Sequence, residues 1–298
     1  MMKKNAWVGI LYVLLAGIFW GSIGVFVRFL QAAGLASLQI VAIRVVVTSV
    51  MLLLGILLWK PSLLRIHIKD IWIFLCSGLI SIVLFSYFYY HTISLTTVSV
   101  AAVLLYVAPI IVMFLCALLF QEKLTTKKIC AAILAFLGCA LVVGLLDGGS
   151  SVSLAAIGSG LASAFCYALY SIFSRFALNR GYHPLTMTLY TFLFANIGIL
   201  PLVNLSEIFT LVTQNTNTIV MSILLGLITS VIPYIFYTMG LSKVETAKAS
   251  IMASVEPVVA TLFSVFLFGE TLSFFGVLGI ILVLSAIVLL NLQKTKKE

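Results

Sequence analysis

Charge is what this sequence has least of. Only 8% of its 298 residues are charged against 63% hydrophobic, a balance that no water-soluble domain can present to solvent. The chain therefore reads as an integral, all-α membrane protein. Acids are scarcer than bases, eight against 17 Lys and Arg, and the net charge of +9 invites a nucleic-acid partner. That footprint needs cations clustered on one solvated face, whereas here they are scattered through short connections, so no nucleic acid is expected. Histidine is limited to His67, His91 and His183, all near the ends of apolar runs. There is no H-E-x-x-H, no G-x-S-x-G, no acidic metal cluster and no Walker lysine motif. These absences argue against an intramembrane enzyme, a metal, a cofactor and direct drive by ATP. The five cysteines, Cys76, Cys116, Cys130, Cys139 and Cys166, sit in apolar runs without a C-x-x-C pair and read as reduced core thiols.

What is abundant is apolar sequence in lengths suited to a bilayer. Turn and charge punctuation divides it into ten runs of about 20 residues. They are Trp7–Phe29, Leu38–Trp59, Ile71–His91, Val98–Phe120 and Ile129–Leu146, then Leu154–Phe176, Leu185–Asn204, Thr218–Gly240, Ala247–Phe268 and Phe274–Leu290. Met1 to Lys4 resemble the opening of a signal peptide, but the apolar stretch that follows is too long and lacks an A-x-A site, so it reads as the first span. Alternate connections divide the cations sharply. One side holds Lys3, Lys4, Lys60, Arg65, Lys69, Lys123, Lys127, Lys128, Arg180, Lys243, Lys248, Lys294, Lys296 and Lys297. The other side's loops hold none, Arg28 standing at the outer end of span one, while Asp147, Glu207 and Glu270 lie on that outer side. By the positive-inside rule both termini are cytoplasmic.

The second half repeats the first. Pro109 and Pro257 are 148 residues apart, as are Glu122 and Glu270, Ala101 and Ala249, and Tyr89 and Tyr237. A proline and a glutamate kept at one spacing are informative because both are costly inside apolar helices. Phe19-Trp20-Gly21 with Arg28-Phe29 likewise matches Phe165-Cys166-Tyr167 with Arg175-Phe176 at a slightly smaller shift. Five spans per repeat is an odd number, so the copies at 1–147 and 148–298 enter the membrane in opposite orientations. Inverted repeats meet at a pseudo-twofold axis in the membrane plane, where rocking of the halves exposes a site to each side in turn.

These elements resemble the drug/metabolite transporter superfamily, in particular its EamA-type ten-span members. The motifs are Phe19-Trp20-Gly21-Ser22, Arg44, Ala101-Ala102 through Pro109 to Glu122-Lys123-Leu124, Glu256-Pro257-Val258-Val259-Ala260, and Gly269-Glu270-Thr271-Leu272. Gln121 departs from the pattern, since Gly269 is its counterpart. The resemblance implies a bacterial-type inner-membrane carrier of small organic metabolites, often an exporter of amino acids or related compounds.

Glu256 stands near the bilayer midplane, about nine positions into span nine, where an ionisable group is costly unless it faces a cavity or a partner. It is suited to carry a proton or meet a cationic group; the alternative is a protonated side chain bonding a carbonyl freed by Pro257. Arg44, about six residues into span two, could take a substrate carboxylate bidentately, clamp carbonyls at a helix end, or reach the headgroups. Pro109, Pro233 and Pro257 interrupt spans four, eight and nine and are gating candidates, or else shape helix packing alone. Trp20, Tyr106, Tyr167 and Tyr234 lie deep, must find hydrogen-bond partners, and would give a cavity aromatic walls; Tyr89, Tyr90 and Tyr237 read as interfacial belt residues. Glu122 and Glu270 are expected to bond into the turns that follow them, beside Thr125 and Ser273 as helix caps. Gly17 with Gly21, and Gly276 with Gly279, permit close helix contacts.

Together these point to a secondary transporter with a midplane cavity formed by spans one, three, four, six, eight and nine. Its partners are a small-molecule substrate and the lipid bilayer, with proton coupling through Glu256 and uncoupled facilitated export as competing mechanisms. Amino-acid export leads. A proton-coupled carrier of an organic cation or drug is the alternative, and a non-transporting scaffold or sensor is the reading outside transport. Oligomeric state is not legible.

Overall fold

The computed structural model describes residues 2–145 and 152–292, and among these the regular structure is entirely helical. Asp147, Lys294, Lys296 and Lys297 lie outside the described residues. Among the described residues nine helical segments are long and apolar enough to cross a bilayer: Ala6–Ala32, Ser37–Trp59, Ile68–Leu95, Val98–Phe120, Leu154–Asn179, Pro184–Leu202, Thr216–Leu241, Thr246–Phe268 and Phe274–Asn291. The run at Ile129–Leu146 is a helix of 17 residues, Thr126–Val142, shorter than those nine.

Several spans are broken, and the breaks organise the fold. Span one is α1 (Met2–Gly21) and α2 (Ile23–Ala32), and span two is α3 (Ser37–Trp59). Span three is α4 (Ile71–Gly78) and α5 (Phe85–Leu95) joined by a π-helical stretch, Leu79–Leu84. Span four is α6 (Val98–Leu105) and α7 (Ala108–Phe120), and α8 (Thr126–Val142) closes the first half. The second half runs α9 (Leu154–Asn179), α10 (Pro184–Ile199), the surface helix α11 (Leu205–Thr213), α12 (Thr216–Gly226), a second π stretch Leu227–Val231, α13 (Ile232–Leu241), α14 (Thr246–Ala253), α15 (Glu256–Phe268) and α16 (Phe274–Asn291).

These irregularities recur at the interval seen in the sequence. The π stretches start at Leu79 and Leu227, the half-helices after the breaks start at Ala108 and Glu256, and those half-helices end on left-handed residues, Gln121 (φ 55°) and Gly269 (φ 67°). Pro109 and Pro257 occupy the first turn of their half-helices, where a missing N–H costs least, and Pro233 does so just after the second π stretch. Thr125 and Ser273 cap α8 and α16 by accepting the amides of Lys128 (3.3 Å) and Gly276 (3.1 Å). The two capped helices pack together through Gly138 and Gly279, where a Cβ on either would stand 2.8 Å or less from the other's carbonyl oxygen.

Each half supplies helices to the other's core: α1 packs on α13 and α15, and α9 packs on α5 and α7. The connections that carry most of the cations gather at one end of the bundle. Thr186 Oγ1 donates to the Leu63 carbonyl (2.8 Å), Tyr182 Oη accepts from the His67 amide (3.0 Å), and Arg175 Nη2 donates to the Val244 carbonyl (2.6 Å). At the opposite end Arg28 meets Glu270, and Gln39 Nε2 donates to Glu207 of α11 (2.9 Å). Of the cysteines, all free, Cys116, Cys139 and Cys166 are buried and Cys76 partly so; Cys130 points outward and is not a core residue.

Candidate substrate cavity and its gates

The breaks in spans three, four, eight and nine face one another across the middle of the bundle, with spans one and six between them. The cavity they enclose is lined by Trp20, Ser81, Tyr106 and Pro109, by Tyr167, Tyr170 and Ser171, and by Tyr234, Tyr237, Ser250, Ser254 and Glu256. It holds only about 30 Å³, room for a water or two, so a substrate must part the aromatic walls to enter.

Those walls interlock. Tyr234 packs edge-on against Trp20 (centroids 5.3 Å), Tyr170 (4.9 Å) and Phe192 (4.9 Å), and Tyr167 packs at a tilt against Phe85 (5.3 Å). Two expectations change here. The side chains of Trp20, Tyr106, Tyr167 and Tyr234 line the cavity and make no protein hydrogen bond among the described residues, so the partners expected for their polar groups are not supplied by neighbouring helices. Tyr237 is not an interfacial residue: it is 3% exposed, lines the cavity and bonds Ser171 (2.8 Å), because its face of α13 turns inward onto α9.

Glu256 opens α15 immediately after the turn that ends α14, so its carboxyl projects from the break into the cavity. Its carboxyl accepts no hydrogen bond and has no ion-pair partner among the described residues. Two glycines bring α1 against this break. A Cβ on Gly17 would lie 2.5 Å from Val255 Cγ1, and one on Gly21 would lie 2.8 Å from the Glu256 carbonyl oxygen. Since the latter obstacle is backbone, Gly21→Val is expected to destabilise the protein by about 1–3 kcal/mol. A thermal melt of the purified variant checks this.

Arg44 does not line the cavity. It is buried in α3 at 9% exposure, its Nε lacks a partner, and it lies within electrostatic reach of Glu256, Tyr90, Tyr167 and Tyr234. Pro109 touches the cavity, while Pro257 and Pro233 are buried beside it. Sequence reasoning missed Ser81, whose buried Oγ has no partner, and Ser250 and Ser254. The signal was present for one of them, since Ser254 is the 148-residue counterpart of Tyr106 at the break.

The two ends of the cavity differ. At the basic end Glu122 does not bond into its own turn, as expected, but crosses to the other half: its two carboxyl oxygens accept the amides of Thr246 (2.8 Å) and Ala247 (3.2 Å) at the start of α14. Arg175 Nε donates to Thr246 Oγ1 (2.6 Å), and the buried Lys128 pairs with Glu245 (2.7 Å) and stands 3.8 Å from Glu122. The helix N-terminus favours the carboxylate, so the contact is charge-assisted. At the opposite end the counterparts do something else. Glu270 pairs with Arg28 (2.5 Å), whose guanidinium lies 4.4 Å over Phe268, and neither reaches the start of α6. Thr246 is fully buried, while its counterpart Val98 is 61% exposed.

The model of the EamA-like transporter family matches residues 7–144 and again 154–292. The chain belongs to the EamA-like transporter family. It is 26% identical over 282 residues to an uncharacterized transporter of Archaeoglobus fulgidus, covering 93% of this chain and 94% of that one. It is 26% identical over 202 residues to an uncharacterized transporter of Bacillus subtilis, covering 68% of this chain and 64% of that protein's length, just under two thirds. A Salmonella typhimurium protein named a probable amino-acid metabolite efflux pump is 25% identical over 183 residues, 59% of this chain and 61% of that one. The fold matches a solved crystal structure with a TM-score of 0.75 at 17% identity, covering 94% of this chain and 95% of that one. This EamA-like chain is thus a multi-pass membrane transporter and not an enzyme, and a transporter of this family acts on small molecules within lipid.

Proposed function

We propose that the chain is a ten-span secondary transporter built of two inverted five-helix repeats, residues 1–147 and 148–298, with both termini cytoplasmic. It moves amino acids or related small metabolites outward across a bacterial-type inner membrane by alternating access. The observation that carries this reading is an aromatic cavity holding an unpartnered carboxylate between two unlike ends. The gate at the basic end is formed; its counterpart is not. Counting α8 as the tenth span is supported by its length, about 26 Å at 1.5 Å per residue, and by its packing along α16. Inversion is supported by Glu122, at the close of span four, meeting the opening of span nine at the same end of the bundle. Cations gathered at that end support reading it as the cytoplasmic one.

The substrate reading draws on Glu256 for an ammonium group, on Arg44 within its field for a carboxylate, and on ring faces for an apolar side chain. The Salmonella relative's name points the same way. An organic cation is the second reading, favoured because Arg44 stands off the cavity wall. Flux of labelled neutral and aromatic amino acids and of a quaternary amine into vesicles reconstituted with the protein separates the two. Saturable, protein-dependent amino-acid flux supports the first. Amine flux alone replaces it with the second, and no flux of either class removes both.

A further inference from the structure

A second cavity lies apart from the central one, at the basic end. The connection 60–70 from the first half and the turn 179–184 from the second are laced together there. Besides the Thr186 and Tyr182 bonds, Tyr190 Oη donates to the Leu64 carbonyl (2.6 Å) and Tyr182 Oη donates to Asp70 Oδ2 (2.7 Å). Between them is a cleft of about 660 Å³ lined by Arg65, Arg175, Arg180, His67 and His183 and, among the described residues, by no acid. The nearby carboxylate, Asp70, is already engaged by Arg180 Nε (3.2 Å) and Tyr182.

The cations are not equally occupied. Arg175 is committed to Val244 and Thr246, and Arg180 uses one nitrogen on Asp70 while its guanidinium lies 5.5 Å over Trp72. Arg65 is exposed, and its side chain has no hydrogen-bond or ion-pair partner among the described residues. His183 Nδ1 accepts the Leu185 amide (3.2 Å), which leaves Nε2 as the N–H donor of the neutral ring. Burial, then nearby Lys60, holds His183 below the usual histidine range. Depth is marked by Trp59 and Trp72, 69% and 42% exposed, which flank the connection at the ends of α3 and α4. Exposed tryptophans at helix ends sit at headgroup level, so the cleft opens where lipid phosphates lie.

We propose that this cleft is an anion site for a phosphate-type group, held by Arg65 and the free nitrogens of Arg180 with the imidazoles as further donors. Guanidinium forks match phosphate oxygens in pairs, and basic pockets between spans at this level suit anionic headgroups. The phosphodiester of an anionic phospholipid and a soluble phosphate present the same oxygens. Among the described residues no acid on the cleft wall opposes either.

The test uses the full-length protein in phosphatidylcholine nanodiscs, titrated separately with phosphatidylglycerol and with inorganic phosphate, with bound ligand read by native mass spectrometry. Arg65→Gln, which breaks no bond, is expected to weaken binding on the order of tenfold, the size of one charge-assisted contact. Lys69→Gln removes the same charge from the same connection but outside the cleft lining, and is expected to leave affinity unchanged. Tight phosphatidylglycerol alone identifies a lipid site. Displacement of that lipid by inorganic phosphate identifies a site open to soluble anions as well. Equal losses in the two variants, or a wild type that binds neither probe better than Arg65→Gln, would overturn the proposal in favour of diffuse surface attraction.

Discussion

Replacing Glu256 with glutamine should abolish the pH dependence of transport and lower substrate flux by roughly 10–100-fold, while leaving thermal stability unchanged or raised. The size is that of one hydrogen bond to a charged group, about 1.5–3 kcal/mol. The stability sign follows from the geometry. In the wild type the carboxyl lines the cavity without a protein hydrogen bond or ion pair among the described residues and feels Arg44 only at longer range, so the amide removes a desolvated charge and no direct contact. Flux in reconstituted vesicles at several external pH values, beside a melt of the same preparation, measures both parts. Retained pH dependence with normal flux would remove Glu256 from the mechanism. A collapse in stability would instead make it a structural residue.

Glu122→Gln should unlock the basic end. The wild-type carboxylate caps two amides of α14 with the Lys128 and Arg175 cations beside it, and loss of such a cap costs about 0.5–2 kcal/mol. At the upper end of that range the population open at the basic end rises roughly 30-fold. Cys116 is a native reporter, because it is fully buried in α7 beneath the gate. In a variant retaining only this cysteine, its maleimide labelling rate should rise by the same factor. Glu270→Gln should not raise it. Its pair with Arg28 is about half exposed on both sides and of the kind worth about 0–1 kcal/mol at most. Equal acceleration by the two substitutions would mean that the ends are not functionally distinct in this state.

Much of the fold was legible because bilayer length and repeat spacing leave strong traces. Val98–Phe120 was bounded to the residue, and most other spans to within three. Two π stretches were not legible, since span three carries no proline to announce one. The clue was Gly78 and Gly226, a 148-residue pair that ends the helix before each stretch. Close approach requires both: a Cβ on Gly78 would stand 2.5 Å from the Thr191 carbonyl oxygen, and one on Gly226 2.4 Å from Val47 Cγ1. For the site, midplane depth singled out Glu256, but the serines did not stand out because hydroxyls in apolar helices ordinarily bond back to their own carbonyls, as Thr48 does to Arg44 at 2.6 Å. The role of Glu122 was misread for a different reason. Sequence locates it at the end of one helix, and only tertiary packing brings the start of another, 124 residues later, within reach.

The most direct test of alternating access is a pair of distances measured together by electron-spin resonance in a cysteine-free background. One spin-label pair, on Val98→Cys and Thr271→Cys, spans the end where Glu270 is disengaged. The other, on Lys123→Cys and Lys243→Cys, spans the Glu122 gate. When a transported substrate is added, the first distance should shorten as the second lengthens, with Glu270 moving toward the start of α6 as Glu122 leaves α14. Distances that change in the same sense, or that stay fixed while vesicle flux proceeds, would contradict exchange between two inverted repeats.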